Sequence, residues 1–326
     1  MKDQICAVVV TYNRKELLME CLDALKNQTY PLDGIYIIDN ASTDKTPNLL
    51  FENKYILELP PSELSVPWQK DFVLTNQNTN IKIHYVRMNK NTGGSGGFYE
   101  GIKRAYENGY DWIWVMDDDT IPNPKSLYNL IEFKDIENDV GLLCSHVMWT
   151  DGTPHFMNIP SIRSYMVDGK IKLFNRYIDS GLIGISYCSF VSALISRKAV
   201  KTVGLPIKEM FIYADDVEFT ERISKYFSCF YVPKSKVLHK TKQNLGADIT
   251  TAPDDKLNYY FFDIRNHIYI VRKKGALRLL KFLIYDWTKI YFIKSLKRKN
   301  LKIKGALISI KGLVAGIFFH PKIEKL

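Results

Sequence analysis

The chain has no paired cysteines. Its five thiols, Cys6, Cys21, Cys144, Cys188 and Cys229, are scattered without CxxC spacing. This argues for buried free thiols in a reducing cytosol over disulfides or zinc ligands. No charged-then-apolar leader with a small-residue cleavage site precedes the first apolar run, Ile5 to Val10, so the sequence does not read as secreted. A membrane span is also missing. The last candidate, Gly305 to Phe319, is only 15 residues long and is broken by Lys311.

What the chain does have is enough apolar content for a full core, 46% of 326 residues, and a length suited to about two domains or one large domain with an appendage. Its net charge of +10 is unevenly spread. From Lys256 onward 17 Lys or Arg face 3 acids, a balance of +14, which leaves the first 255 residues at −4. Those basic residues sit among Leu, Ile, Phe, Trp and Tyr, and no nucleic-acid motif accompanies them. The mixture points to an anionic membrane surface rather than to nucleic acid.

Upstream, short apolar strands alternate with helical patterns, as in a parallel α/β sheet. Strands are predicted over Ile5 to Val10, Ile35 to Ile38, Ile81 to Val86, Trp112 to Met116 and Gly141 to Trp149. Helices are predicted over Lys15 to Asn27, from about Asp44, from about Gly96 to Asn108 and from Ser126. The segment Leu57 to Thr79 lacks clear periodicity, holds Pro60, Pro61 and Pro67, and reads as an irregular excursion. Residues 150 to 187, with turn formers at Asp151-Gly152 and Asp168-Gly169, read as hairpins or a mobile loop over the site.

Polar residues collect where the predicted strands end, the edge at which open α/β sheets bind ligands. Asp117-Asp118-Asp119 follows the apolar run Trp112 to Met116. Three adjacent acids call for a counter-cation, and Mg²⁺ or Mn²⁺ shared with a diphosphate supplies one, although a solvated turn or a helix N-cap would also accommodate them. The first strand ends in Thr11-Tyr12-Asn13-Arg14 and the second in Asp39-Asn-Ala-Ser42-Thr43-Asp44. Helix capping accounts for some of these residues, but not for Asp39, whose carboxylate could accept a hydrogen bond from the imide of uracil or thymine. A third edge carries Asn89 to Phe98, with Gly93, Gly94, Gly96 and Gly97. This loop is neither a dinucleotide-binding GxGxxG nor a Walker A motif, yet its glycines let backbone and a helix N-terminus approach a ligand.

In this order, with Phe211-Ile-Tyr-Ala-Asp215-Asp216-Val-Glu218 downstream, these motifs resemble the family 2 glycosyltransferases over roughly residues 4 to 245. The resemblance implies a GT-A (Rossmann-like) α/β domain and an inverting transferase that uses a nucleotide diphosphate sugar and Mn²⁺ or Mg²⁺. The Gly-Gly-Ser-Gly-Gly-Phe loop with Asp-Asp-Asp looks most like the galactofuranosyltransferases, which use UDP-galactofuranose; a rhamnosyltransferase using dTDP-rhamnose is the nearest relative to exclude. Carried onto this chain, Thr11, Tyr12, Asn13 and Asp39 form the nucleoside cradle and Arg14 lies near the phosphates. Asn89, Gly93 and Gly94 face the ribose and donor. Asp117 and Asp119, beside Asp118 on the donor, contact the metal and diphosphate. His239, at the end of Lys236-Val-Leu-His239, resembles the histidine that joins the metal in galactofuranosyltransferases. Asp216 is the implied catalytic base, with Asp215 as alternative or acceptor-orienting partner. Ala214 stands where galactofuranosyl members often carry Trp, a departure that bears on acceptor recognition.

Beyond His239 the chain changes character. A helix over Ala276 to Ile293 places Leu277, Leu280, Phe282, Ile284, Trp287, Tyr291 and Phe292 on a broad apolar face, followed by the basic cluster Lys294 to Lys304. The reading is therefore a GT-A domain over residues 1–255 and a basic, amphipathic helical region over 256–326. The expected enzyme is cytoplasmic and bound peripherally at the inner face of the cell membrane, with packing of the tail on the domain as the alternative and a homo-oligomer left open. Its expected acceptor is a lipid-linked glycan in surface polysaccharide synthesis. The alternative from another class is a nonenzymatic sugar-nucleotide or glycan-binding module.

Overall fold

The computed structural model describes residues 2–76, 79–167 and 169–326. The predicted turn residue Asp168 lies outside them, as do Gln77 and Asn78 of the predicted excursion. Four of the five predicted strands form the centre of a mixed sheet: β1 (Ile5–Thr11), β2 (Gly34–Asp39), β4 (Thr79–Arg87) and β5 (Trp112–Asp117) run parallel in the order β4-β2-β1-β5. Their register aligns Thr11 with Asp39 and Asp39 with Arg87, while Asp117 lies opposite Val10. The polar strand ends therefore share one edge.

Each central strand is apolar on both faces because helices cover both. Ile5, Ala7 and Val9 pack with Leu18, Cys21, Leu22 and Leu25 of α1 (Lys15–Lys26). Cys6, Val8 and Val10 turn to the other side, against Phe98, Tyr99, Ile102 and Ala105 of α3 (Gly93–Glu107). The short α2 (Thr46–Glu52) and α4 (Ser126–Ile131) add Leu50, Leu127 and Leu130 to the first layer. All five cysteines are buried and none forms a disulfide.

Two expectations are corrected. The supposed irregular excursion contains a strand, β3 (Trp68–Asn76), antiparallel to β4. Trp68, Phe72 and Leu74 pack on the core while Asp71 and Val73 face outward; Lys70 interrupts the alternation and the upstream prolines obscure it. Helix α3 also starts at Gly93 rather than near Gly96. The glycine run is thus the helix's first turn, seated where side chains do not fit: a Cβ on Gly97 would lie 2.4 Å from Val10 Cγ1.

After the acids, β6 (Thr120–Pro122) pairs antiparallel with the final long strand β12 (Ser228–His239), and β7 (Val140–Met148) runs parallel to β12. Residues 150–187 hold one small hairpin, β8 (Tyr165–Val167) with β9 (Lys170–Lys172), and β10 (Ile183–Gly184) at the sheet edge. β11 (Ala193–Ser196) joins β5 to β7, and leads into α5 (Arg197–Val203). Helix α6 (Asp215–Ile223) begins at the second acidic pair.

The C-terminal region is helical, as expected, and is packed onto the sheet domain. It comprises α7 (Tyr260–Lys273), α8 (Ala276–Lys281), a π-helical stretch Phe282–Ile293, α9 (Lys294–Leu296) and α10 (Lys302–Phe318). The anticipated broad apolar face divides in two. Phe282, Trp287 and Tyr291 turn inward on α7 and α10, whereas Leu277, Leu280 and Ile284 remain exposed. Gly312 and Gly316 let α10 approach Ile264 and Ile268 of α7, and Arg272 donates to the Gly316 and Phe319 carbonyls at the end of α10. The last residues then return to the sheet domain: Leu205 N donates to the Glu324 carbonyl, while the Glu324 carboxylate accepts from Tyr99 and Lys103. A Cβ on Gly316 would stand 2.7 Å from Ile268 Cβ. Gly316→Val should therefore destabilise the chain by about 1–3 kcal/mol through overpacking, read as an earlier thermal unfolding transition; an unchanged transition would show that this helix contact does not contribute.

Candidate active site

Five carboxylates converge at the shared strand edge. Asp117 ends β5, Asp118 and Asp119 form the turn into β6, and Asp215 and Asp216 open α6. Register brings in the sixth titratable group: β12 pairs His239 with Thr120, beside Asp119, and Lys240 N donates to the Asp119 carbonyl at 2.9 Å. His239 Nε2 lies 3.0 Å from Asp119 Oδ1, and its Nδ1 lies 2.9 Å from Asn158 Oδ1. An oxygen at each ring nitrogen favours the protonated ring. Burial opposes that charge, but the hydrogen bond and charge of Asp119 outweigh it and raise the pKa.

Arg14 neutralises the other side. Its Nη1 donates to Asp119 Oδ2 at 2.6 Å and Asp118 Oδ1 at 3.2 Å, and Thr11 Oγ1 donates to Asp118 Oδ2 at 2.7 Å. Asp119 is thereby the charged member: burial works against its ionisation, but His239 and Arg14 hold its pKa below the ordinary value. Its neighbours are pushed the other way. Burial, then the charge of Asp119, raises Asp117 to about 6, and burial with the flanking acids raises Asp118 to about 7 despite Arg14.

Asp117, Asp119 and His239 each offer a ligand atom, all within 4.8 Å of one another. Two carboxylates and an imidazole suit Mn²⁺ or Mg²⁺, the mixed N/O set favouring Mn²⁺. The residues present fit such an ion.

Across the same cleft, burial raises Asp215 to about 6. Burial and the adjacent Asp215 raise Asp216 to about 7. The two acidic groups are close enough that Asp117 and Asp216 disfavour each other's charge. Asp216 Oδ1 accepts from Val217 N at 2.7 Å.

The predicted nucleoside residues line the adjoining strand ends in different roles. Tyr12 is exposed at the mouth, whereas Asn13 ties two loops together, its Oδ1 accepting from Thr43 N at 2.6 Å. The capping expectation is corrected in its residues: Asn13, Ser42 and Thr43 bond to each other's loops, and the first amides of α1 and α2, Lys15 N and Thr46 N, donate instead to the Asp44 carboxylate at 3.2 and 3.1 Å. Asp39 is fully buried, accepting from Ser42 N, Tyr85 Oη and Arg87 Nη1 at 2.8, 2.8 and 2.6 Å. Tyr85 and Arg87 both bond Oδ2 while Oδ1 accepts from Ser42 N, so Asp39 also ties the floor of the site together. Asn89 donates to the Ser65 carbonyl and braces the preceding loop. At the start of α3, Gly93 has φ +72° and abuts the Phe211 carbonyl, while a Cβ on Gly94 would meet nothing within 4 Å.

Several site residues escaped the sequence reading. Asn40 bonds to Thr92 N and to the Gly93 carbonyl, fixing the glycine turn. Asn158 orients His239, and His155 packs against its ring with centroids 4.6 Å apart. A lone Asn or His in a turn-rich segment carries no signal of this kind. Asn40 had one, its place between Asp39 and the helix.

Parallel strands whose polar ends share one edge, with a carboxylate–histidine cluster and a second acidic pair beside them, match an α/β glycosyltransferase of the GT-A fold. The chain belongs to glycosyl transferase family 2, whose profile matches residues 6–56 and 70–204. Galactofuranosyltransferase GlfT1 of Mycolicibacterium smegmatis is 26% identical over 314 residues, covering 89% of this chain and 90% of that protein. Among solved structures, GalNAc-T7 with UDP, GalNAc and Mn²⁺ superposes with a TM-score of 0.56 at 13% identity, over 82% of this chain and 47% of that one. The mannosyltransferase PcManGT of Pyrobaculum calidifontis, with GDP-Man and Mn²⁺, gives 0.51 at 13% identity, over 98% and 76%.

Metal binding must displace the proton on His239 Nε2 and leave Asp117 ionised. Apparent Mn²⁺ affinity should therefore rise as pH increases through about 6, the value for Asp117, and further as His239 titrates. Asp119→Asn should weaken it more than His239→Ala; equal, pH-independent Mn²⁺ titrations of all three proteins would remove these residues from the site.

Proposed function

We propose that the protein is an inverting, metal-dependent galactofuranosyltransferase that moves galactofuranose from UDP-galactofuranose to a lipid-linked glycan acceptor. The observation that carries this reading is the meeting of two acidic groups in one cleft, a metal-ligating set and a separate pair at a helix N-terminus. Near full-length similarity to a galactofuranosyltransferase supports the sugar. A dTDP-rhamnose donor is the second reading, favoured by Ala214 in place of the Trp common in galactofuranosyl relatives.

The chain's residues divide the work by charge. Asp216, with its pKa near 7, takes the proton from the acceptor hydroxyl while that oxygen bonds to the anomeric carbon. The bond from that carbon to the diphosphate oxygen breaks on the opposite face, inverting the centre. Arg14 and the α3 N-terminus at Gly94 lie on the leaving side, where cationic and amide groups favour the departing charge. Asp117, Asp119 and His239 would hold Mn²⁺ or Mg²⁺ there, which supplies Lewis-acid stabilisation to the diphosphate. Asp215 orients the acceptor beside Asp216.

The C-terminal region supports the membrane part of the reading. No helix among the described residues is long and apolar enough to cross a membrane. Leu277, Ile284, Ile303 and Phe318 are nonetheless 81%, 65%, 77% and 74% exposed among lysines and arginines. Outward apolar side chains within a +14 segment suit peripheral attachment to an anionic inner membrane face.

In a transfer assay with UDP-galactofuranose, Asp216→Asn should bind UDP normally and lose on the order of 10²- to 10⁴-fold in turnover. The wild-type rate should fall as pH drops through about 7, when Asp216 is protonated. Full turnover in Asp216→Asn would rule it out as base, and transfer only from dTDP-rhamnose would establish the second reading. Leu277→Glu combined with Ile284→Glu should release the protein from phosphatidylglycerol vesicles while sparing UDP binding. Unchanged sedimentation with vesicles would show that this surface does not face lipid.

A further inference from the structure

Phe211, Tyr213 and Ala214, immediately before the acidic pair, adopt left-handed backbone with φ of 65°, 66° and 62°. Such backbone at non-glycine residues persists only where surrounding contacts over-determine it. The contacts come from helix α7, beyond the family-matched region. Asn266, fully buried, directs its side-chain amide at the carbonyls of Met210, Ile212 and Tyr213, at 3.0, 3.1 and 2.8 Å. Arg265 Nη2 donates to the carbonyls of Glu209 and Met210 at 2.7 and 3.1 Å. The remaining carbonyl, that of Phe211, accepts from Ser95 N at 3.1 Å in the first turn of α3.

Every carbonyl from Glu209 to Tyr213 is thus held from outside the loop, four by the Arg265-Asn266 pair and one by the glycine turn on the donor side. We propose that Asn266 is a positioning residue for the reaction: through this strained loop it aims Asp215 and Asp216 at the acceptor and fixes their distance from the donor-side helix. Asn266 suits the task because a primary amide presents two hydrogens to clustered carbonyls and carries no charge to be buried. Its neighbours are fixed too. Ile264 and Ile268 on the same helix pack on α10, and Arg265 stacks on Phe319 with its guanidinium carbon 4.0 Å from the ring centre.

The inference rests on Asp216 acting as base, and the test separates the two. In the full-length protein, Asn266→Ala should keep Mn²⁺-dependent UDP affinity within about twofold and lower kcat by roughly 10- to 100-fold, the loss expected when a reacting group shifts by about an ångström. Added to Asp216→Asn it should lower transfer no further, since the aim of an absent base is immaterial. A merely structural role would instead lower UDP binding and turnover together, or add its full effect in the double variant. Either result, or unchanged kcat in folded Asn266→Ala, overturns the proposal. Should Asn266→Ala not fold, Arg265→Met releases the Glu209 and Met210 carbonyls while leaving Asn266 in place. A several-fold fall in kcat at constant UDP affinity is then expected, and unchanged kcat again overturns the proposal. If Asp216→Asn itself retains turnover, it is the assignment of the base that fails.

Discussion

Five carboxylates in one largely buried cleft cannot all be ionised without nearby positive charge, and the architecture around the cleft supplies that charge unevenly. Arg14 and His239 both reach Asp119, so it alone of these five is held below its ordinary value. Asp117, Asp118, Asp215 and Asp216 are held above theirs. A carboxylate favoured in its ionised form thus sits across from one, Asp216, whose pKa lies near 7. Environments that push neighbouring acids apart allow one chemical type to perform two tasks.

That electrostatic arrangement depends on backbone placement from three directions. Parallel pairing sets Thr11, Asp39 and Asp117 at one edge, the β6–β12 register delivers His239 from far along the chain, and the loop before α6 presents the second pair. Helix α7 takes part in the last of these. The C-terminal region has its own apolar cluster, yet Tyr269 and Ile270 share another with Ile207, Met210 and Ala214. The proposed division at residues 255 and 256 marks a change from sheet to helices, but many contacts cross it. The same helices that leave Leu277 and Ile284 exposed therefore rest on a segment joined to the catalytic cleft.

Local pattern carried a large part of this into the sequence. The apolar runs Ile5 to Val10 and Trp112 to Met116 have no other use than buried strands, and the polar residues after them had to lie at a ligand-binding edge. The acids, Arg14 and the glycine turn were legible for that reason, and Lys236-Val-Leu-His239 through its resemblance to known relatives. Strand β3 was not, because Lys70 breaks its alternation and prolines crowd its approach. The exposed and inward halves of residues 276–293 were merged, because a helical wheel assumes α winding and this segment is largely π-helical.

The sequence by itself determined the class of sheet, its ligand edge, the chemical types of the site and the basic, apolar character of the C-terminal region, all of which follow from periodicity and residue chemistry within short windows. Only the tertiary structure decided that Asp39 is bonded by Arg87 and Tyr85, that Asn158 faces His239, and that Asn266 holds the loop before Asp215. Each of these is a hydrogen bond between residues some 46 to 81 positions apart. Its partner is selected by strand register and helix packing, to which a residue's immediate neighbours in the chain are indifferent.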